Sequence, residues 1–199
     1  MALLHSGDYR IKSLADSDVD DFLKYLTRNR QWFRPYEPCR SEYYYTTAYW
    51  RNVLSGKREK KLSDLHFVIE GERVVGFITI SGISGFPFYS GYLGYSLDHE
   101  LWGRGFMTSA LSVLIPHLFE HYSIHRLQAN YMPSNSGSAR VLEKLGFEVE
   151  GFAKDYLLID GKWEDHIMTA LLSASFSPPA LEIPQGCRDA DHQGEERKP

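Results

Sequence analysis

The sequence predicts an α/β chain in which a mixed β-sheet carries helices on both faces. Three observations predict it. Strand-like and helix-like segments follow one another in the order β-α-α-β-β-β-α-β-α-β-β, an alternation foreign to helical bundles and β-sandwiches. The 199 residues fit one domain with some excess. Hydrophobic residues at 43% and charged residues at 24% match ordinary globular chains, which excludes a wholly disordered or collagen-like protein.

Each element has its own signal. Tyr9, Ile11 and Ser13 alternate as a strand. Residues 14–29 then carry Val19, Phe22, Leu23 and Leu26 at helical spacing, opened by a cap at Asp16 or Ser17. Pro35 and Pro38 interrupt the pattern, and residues 41–56 predict a second helix ending near Gly56. After the basic connection at 57–61, residues 65–70 and 73–80 read as strands joined by Gly71-Glu72, and residues 90–97 read as a third. In residues 103–122, Ala110, Leu111, Leu114, Ile115 and Leu118 form an apolar stripe with a kink expected at Pro116. Residues 126–132 form a strand that stops at Pro133. Residues 134–147 form a capped helix ending at Gly146, and residues 147–159 and 162–172 form a hairpin around Asp160-Gly161. From Ser173 the chain turns rich in Pro, Gly and charge, so residues 1–172 are expected to fold and 173–199 to form a polar, flexible tail.

Charge and cysteine usage narrow the class. A net charge of -4 offers no long-range attraction to nucleic acid or anionic lipid. The first 30 residues are studded with acids and hold no apolar run of membrane or signal length. Cys39 and Cys187 make neither a zinc quartet nor a disulfide framework. These features predict a soluble cytoplasmic protein with reduced thiols, without direct nucleic-acid or membrane partners. His117 and His121 lie four apart on a predicted helix, but no third ligand accompanies them, so no metal is expected.

The chemistry concentrates in two stretches. Around residues 96–107 a strand ends near Leu97, a short loop carries Gly103 and Gly105, and a long helix begins. Outward-facing backbone N–H groups and the positive end of a helix suit a pyrophosphate, and Arg104 adds a charge-assisted contact. A plain tight turn is the other reading of two such glycines. Thr108 stands where a dinucleotide fingerprint requires glycine, and no P-loop lysine motif is present, which disfavours dehydrogenases and nucleotide hydrolases. The second stretch, residues 130–151, holds Asn135-x-x-Ser138 followed by Glu143-Lys144-Leu145-Gly146-Phe147.

Together these stretches resemble the Gcn5-related N-acetyltransferase superfamily. Trp102-Gly103-Arg104-Gly105-Phe106-Met107 falls on its Gln/Arg-x-x-Gly-x-Gly/Ala loop, departing from it at Trp102 and Met107. Within the superfamily the chain resembles the ribosomal-protein-alanine N-acetyltransferases, through residues 129–171 and through Arg34-Pro35-Tyr36-Glu37-Pro38, which is similar to a Pro-Trp-Glu-Pro element. The resemblance implies a sheet splayed between its fourth and fifth strands, with acetyl-CoA in the cleft against Leu97, Trp102 to Met107, Asn135 and Ser138. It implies a backbone N–H near Leu97, at a strand bulge, for the oxyanion. Ser138 is implied as a proton donor beside the sulfur, and Asn135 as orienting the pantetheine amides or the thiol. A plain helix cap is the other reading of Asn135 and Ser138. Tyr156 falls near a tyrosine acid of many relatives, or is simply a strand tyrosine, since a register slip of one residue turns it to the other face.

Trp32, Arg34, Tyr36 and Glu37 are the expected acceptor-binding residues, with Glu37 attracting a terminal ammonium; capping of the sheet by these aromatics is the alternative. Many relatives carry an acid on the fourth strand, whereas this strand reads Tyr92-Leu93-Gly94-Tyr95. An α-amino group, with a pKa of about 7.8, is partly neutral at about pH 7.5, while a lysine near 10.4 costs roughly 4 kcal/mol to deprotonate. Weak base equipment therefore suits an N-terminal amine. The implied activity is direct transfer from acetyl-CoA to the N-terminal alanine of a small-subunit ribosomal protein, by a monomer or weak homodimer. A small-molecule amine acetyltransferase and a ribosome-assembly factor are the alternatives.

Overall fold

The computed structural model describes residues 4–55 and 64–177. Eight strands form one sheet: β1 (Leu4–Ser6), β2 (Tyr9–Ser13), β3 (Leu65–Glu70), β4 (Val74–Ser84), β5 (Ser90–Leu97), β6 (Arg126–Tyr131), β7 (Glu148–Ile159) and β8 (Lys162–Leu172). The helices are α1 (Val19–Phe33), α2 (Thr47–Leu54), α3 (Phe106–His121) and α4 (Ser136–Lys144). The spatial order is β1-β2-β3-β4-β5-β6-β8-β7. Every neighbouring pair is antiparallel except β5 with β6.

The predicted alternation of strands and helices is present, with one strand more than the sequence reading. β1 has only three residues, too few to show a period, although Gly7-Asp8 after it is a hairpin signal. The second predicted helix is divided. Residues Glu42–Tyr45 make a short 3-10 turn, and Thr46 leaves helical geometry to cap α2 by accepting the Tyr49 N–H at 3.2 Å. At α1, Asp18 closes the entry by accepting the Ala15 N–H at 3.0 Å, in place of the expected Asp16 or Ser17. α3 runs from Phe106 to His121 with Pro116 inside it.

Two cores sandwich the sheet, because β3 and β4 are buried on both faces. Phe67, Ile69, Ile78 and Ile80 pack with Met107, Leu111, Leu114 and Leu118 of α3. Val68, Val74 and Phe77 point the other way, against Val19, Phe22, Tyr25, Leu26 and Phe33 of α1 and Trp50 of α2. Each such side chain, fully buried, contributes about 1.5–3 kcal/mol relative to exposure. No described helix is long and apolar enough to cross a membrane.

The sheet opens at its centre. β5 and β6 pair only through Ser90, Gly91 and Tyr92 opposite Arg126, Leu127 and Gln128. Beyond those residues the strands part, so the splay falls between the fourth and fifth strands of the sequence reading. At the far end, Ser173 N–H donates to the His125 carbonyl at 2.8 Å, and the Phe176 ring lies 5.0 Å from Tyr89. The segment expected to be a tail thus begins with residues held by the fold; residues 178–199 lie outside those described, as does the basic connection at 57–61.

Candidate active site

A cavity of about 770 Å³ occupies the fork between the parted strands. Leu93 to Leu97 form one wall, and Ala129 to Met132 form the other. The α3 loop and the start of α4 also line it, as do Phe33, Tyr36, Glu37, Arg40 and Tyr44 from the segment that runs from the end of α1 toward α2.

Hydrogen-bond alternation decides what β5 presents to this cavity. The Asp98 N–H donates to the Val75 carbonyl at 2.7 Å, and Leu97 pairs opposite Gly76. In an antiparallel ladder, residues that exchange bonds alternate with residues that do not. Leu97 and Tyr95 therefore turn their N–H groups away from β4, into the gap that β6 has left. The bulge expected near Leu97 is absent; the irregularity of this pair lies between Ser81 and Ser84. Parting of β5 from β6 frees the same N–H groups that a bulge was expected to free.

The loop after β5 is tied to α1. Asp98 is fully buried and receives Arg28 Nε at 3.0 Å and Nη2 at 2.7 Å, with Arg73 at 3.4 Å. Burial alone raises the Asp98 carboxyl, but hydrogen bonds from Arg28 and the Glu100 N–H, with the charges of Arg28 and Arg73, hold it below its ordinary value. Buried Asn29 accepts the His99 N–H at 3.2 Å. Trp102 donates its indole N–H to the Leu97 carbonyl at 2.8 Å, so this departure from the family pattern anchors the loop to the strand. Gly103 and Gly105 have φ of 73° and 81°, with open space where a Cβ would stand. Glycine is therefore required there by backbone conformation and leaves room beside the helix start. Arg104 is exposed and does not line the cavity, while Phe106 and Met107 do.

Across the cleft, Asn135 caps α4 and accepts the Ser138 N–H at 3.0 Å. Its carbonyl is thereby engaged in capping, as the alternative reading held. The Ser138 hydroxyl meets the Tyr95 hydroxyl at 2.7 Å. Tyr95 was not among the predicted site residues; the alternation of Leu93, Tyr95 and Leu97 toward the α3 and α4 face is the signal that points to it. Burial pushes the Tyr95 phenol up to about 12, only partly offset by its bond to Ser138, so it stays protonated at neutral pH.

Tyr156 is not in the cavity wall. Its hydroxyl accepts Asn130 Nδ2 at 3.4 Å, and its ring lies 5.4 Å from His166. The β7 register shifts between Ala153 and Leu157, with Asp155 at a φ of 48°, so simple alternation cannot assign its face. Of the expected acceptor residues, Tyr36 and Glu37 line the cavity. Arg34 instead donates to Asp160 at 2.7 Å, and Trp32 stacks on His99 at 4.6 Å; neither reaches the cavity wall. Among the described residues no group of three or more His, Cys, Asp or Glu is arranged to hold a metal.

A split sheet, a glycine loop opening a helix at one end of the split, and a hydroxyl pair across it define an N-acetyltransferase. The chain belongs to the Acetyltransferase (GNAT) domain family, which matches residues 9–148. It is 36% identical over 173 residues to the [Ribosomal protein uS5]-alanine N-acetyltransferase of Escherichia coli K12, covering 84% of this chain and 89% of that one. It is 33% identical over 168 residues to the probable N-acetyltransferase YjcK of Bacillus subtilis, covering 82% and 93%. Among solved structures, the ribosomal-protein-S5-alanine acetyltransferase of Vibrio fischeri superposes with a TM-score of 0.84 at 36% identity, covering 89% of this chain and all of that one. Mycobacterium smegmatis RimJ in complex with CoA-disulfide superposes with a TM-score of 0.75 at 28% identity, covering 92% and 88%.

Proposed function

We propose that this chain transfers the acetyl group of acetyl-CoA directly to the α-amino group of an N-terminal alanine on a small-subunit ribosomal protein, in the cytoplasm. The observation that carries the proposal is the 2.7 Å Tyr95–Ser138 hydroxyl pair at the fork of the sheet, facing free strand N–H groups. The names of the uS5-alanine and S5-alanine relatives, each 36% identical over most of the chain, support the acceptor.

The residues present fit acetyl-CoA. The N–H groups of residues 103–107 and the start of α3 receive the pyrophosphate, with Gly103 and Gly105 leaving the approach open. Met132 and Val141 give apolar surface along the cleft. The N–H groups of Tyr95 and Leu97 face charge developing on the thioester oxygen. Either hydroxyl of the pair can donate; when Tyr95, protonated at neutral pH, donates to Ser138, the serine proton is free for the departing thiolate. Asn135 positions Ser138 through its backbone, and Tyr156, outside the wall, positions Asn130 within it. Among the described residues the cysteine is Cys39, which is exposed beside Asp160 and does not line the cavity, so direct transfer without an acyl-enzyme is the reading.

A steady-state comparison tests the reading. Purified protein with acetyl-CoA should acetylate an alanine-starting peptide of ribosomal sequence well above small amines such as aminoglycosides. A preference for small amines overturns the peptide acceptor, and binding of the ribosomal protein without turnover favours an assembly role.

A further inference from the structure

Glu37 is the one carboxylate in the cavity wall. It sits just after the short Arg34–Tyr36 turn that follows α1, between the two helices that cover the face of the sheet opposite α3. It makes no ion pair or hydrogen bond among the described residues, whereas the neighbouring acids Asp98 and Asp160 are both held by arginines. Its surroundings are aromatic. Its charge acts on the hydroxyls of Tyr25, Tyr44 and Tyr45. The Tyr25 hydroxyl in turn donates to Ser96 Oγ at 2.9 Å, in the strand segment between Tyr95 and Leu97. Arg40, the cation whose charge acts on it, lies over the Tyr44 ring at 4.9 Å and makes no ion pair with the carboxylate. Burial raises the Glu37 carboxyl above its ordinary range, and the Arg40 charge only partly offsets this.

A carboxylate withdrawn from water without a partner is costly unless a cation or a proton completes it. The α3 loop and α4, which hold acetyl-CoA in the reading above, belong to the other face of the sheet, so the acceptor ammonium is assigned to the face of α1 and α2. We propose that the Glu37 carboxylate binds the ammonium of the incoming N-terminus and takes its proton, acting as the general base of the transfer. This rests on the N-terminal acetyltransferase reading above. One ammonium proton passes to Glu37, and the freed lone pair forms the C–N bond. The C–S bond breaks with its electron pair on sulfur, and Ser138 supplies the thiol proton. The second nitrogen proton leaves to solvent, from which Ser138 is restored, and Glu37 then releases its own proton there. Two other titratable wall residues stand apart from this path: His166 is almost fully buried, with Nδ1 turned to the Glu164 carbonyl at 3.0 Å, and Tyr95 belongs to the Ser138 pair.

The test uses Glu37→Gln, isosteric and neutral, with two acceptor peptides that differ only in starting with alanine or 3,3,3-trifluoroalanine. The fluorinated amine is largely neutral at pH 7 and needs no base. The wild type should turn over both. Glu37→Gln should lose about 100-fold in kcat/KM on the alanine peptide, at the lower end of what a positioned base supplies, and stay within about threefold of wild type on the fluorinated one. On the alanine peptide its kcat/KM should rise about tenfold per pH unit up to the amine pKa near 8, where the wild type is level. Equal loss on both peptides, no loss on either, or the same selective loss in His166→Gln overturns the proposal. Thermal unfolding and CoA titration of each variant identify a misfolded protein, and Glu37→Asp should then recover part of the alanine-peptide rate if the carboxylate is the active group. A wild type that acetylates neither peptide instead removes the N-terminal acetyltransferase reading itself.

Discussion

Tyr95 and Ser138 stand 43 residues apart and meet through hydroxyls at 2.7 Å, so the proposed acid is built by the fold. Ser138 was legible because a local Asn-x-x-Ser motif marks it; Tyr95 was not, since its partner arrives only when α4 folds over the parted strand. Ser138→Ala should lower kcat about 100-fold, and Tyr95→Phe about tenfold, with CoA affinity nearly unchanged in calorimetry. A matching loss of CoA affinity would assign both hydroxyls to binding instead. Glu37 carries a second prediction, one of stability. Its carboxyl is raised on folding, so the folded chain holds that proton more tightly than the unfolded one. The associated stability is fully present below the unfolded value near 4.3 and is lost as pH rises through the higher folded value. Glu37→Gln should therefore melt at a higher temperature than wild type at pH 8, and the difference should shrink toward pH 4.

The loop from Asp98 to Gly105 joins α1 on one face of the sheet to the start of α3 on the other. Arg28 and Asn29 of α1 bind Asp98 and His99, and Trp32 of the same helix stacks on His99. Asp98→Asn leaves Arg28 short of its counter-charge and should cost about 2 kcal/mol in urea unfolding, less than a fully buried pair because Arg28 is partly exposed. The wild-type advantage is present at neutral pH and should fade as acid protonates Asp98, whose carboxyl lies below its ordinary value. Gly105→Ala places a Cβ at a φ of 81°, which costs about 1 kcal/mol, and should weaken CoA binding about tenfold while lowering the melting temperature by only about 2–4 °C. Local signals of this kind read well from sequence. Asp160-Gly161 has φ of 43° and 82° at its two residues, as a two-residue hairpin turn demands. The α3 stripe Ala110, Leu111, Leu114, Ile115 and Leu118 is buried as its spacing predicted. Tyr156 read poorly because a shift in β7 pairing interrupts the alternation on which its face depended. Arg34 and Trp32 sit in the right loop, but Asp160 and His99, distant in sequence, claim their side chains.

At the scale of the whole molecule, a single break in an otherwise continuous sheet creates the site. Two cores hold the break open: α1 and α2 support one face of β3 and β4, and α3 and α4 support the other. The alternation of elements was legible because hydrophobic periodicity records it; the splay came from family resemblance, because strand pairing is a long-range property. The aromatic side chains between Trp32 and Trp50 divide on folding. Phe33 and Trp50 enter the core beneath α1 and α2, while Tyr36 and Tyr44 line the cavity together with Glu37. The central claim is that this cavity acetylates the α-amine of a ribosomal-protein alanine. Its most direct measurement is mass spectrometry of small-subunit ribosomal-protein N-termini from cells with and without the chain. One alanine N-terminus should carry an acetyl group, a gain of about 42 Da, only when the chain is present and should lose it in Ser138→Ala. Identical N-termini in the two samples, or acetylation confined to lysine side chains, would contradict the claim.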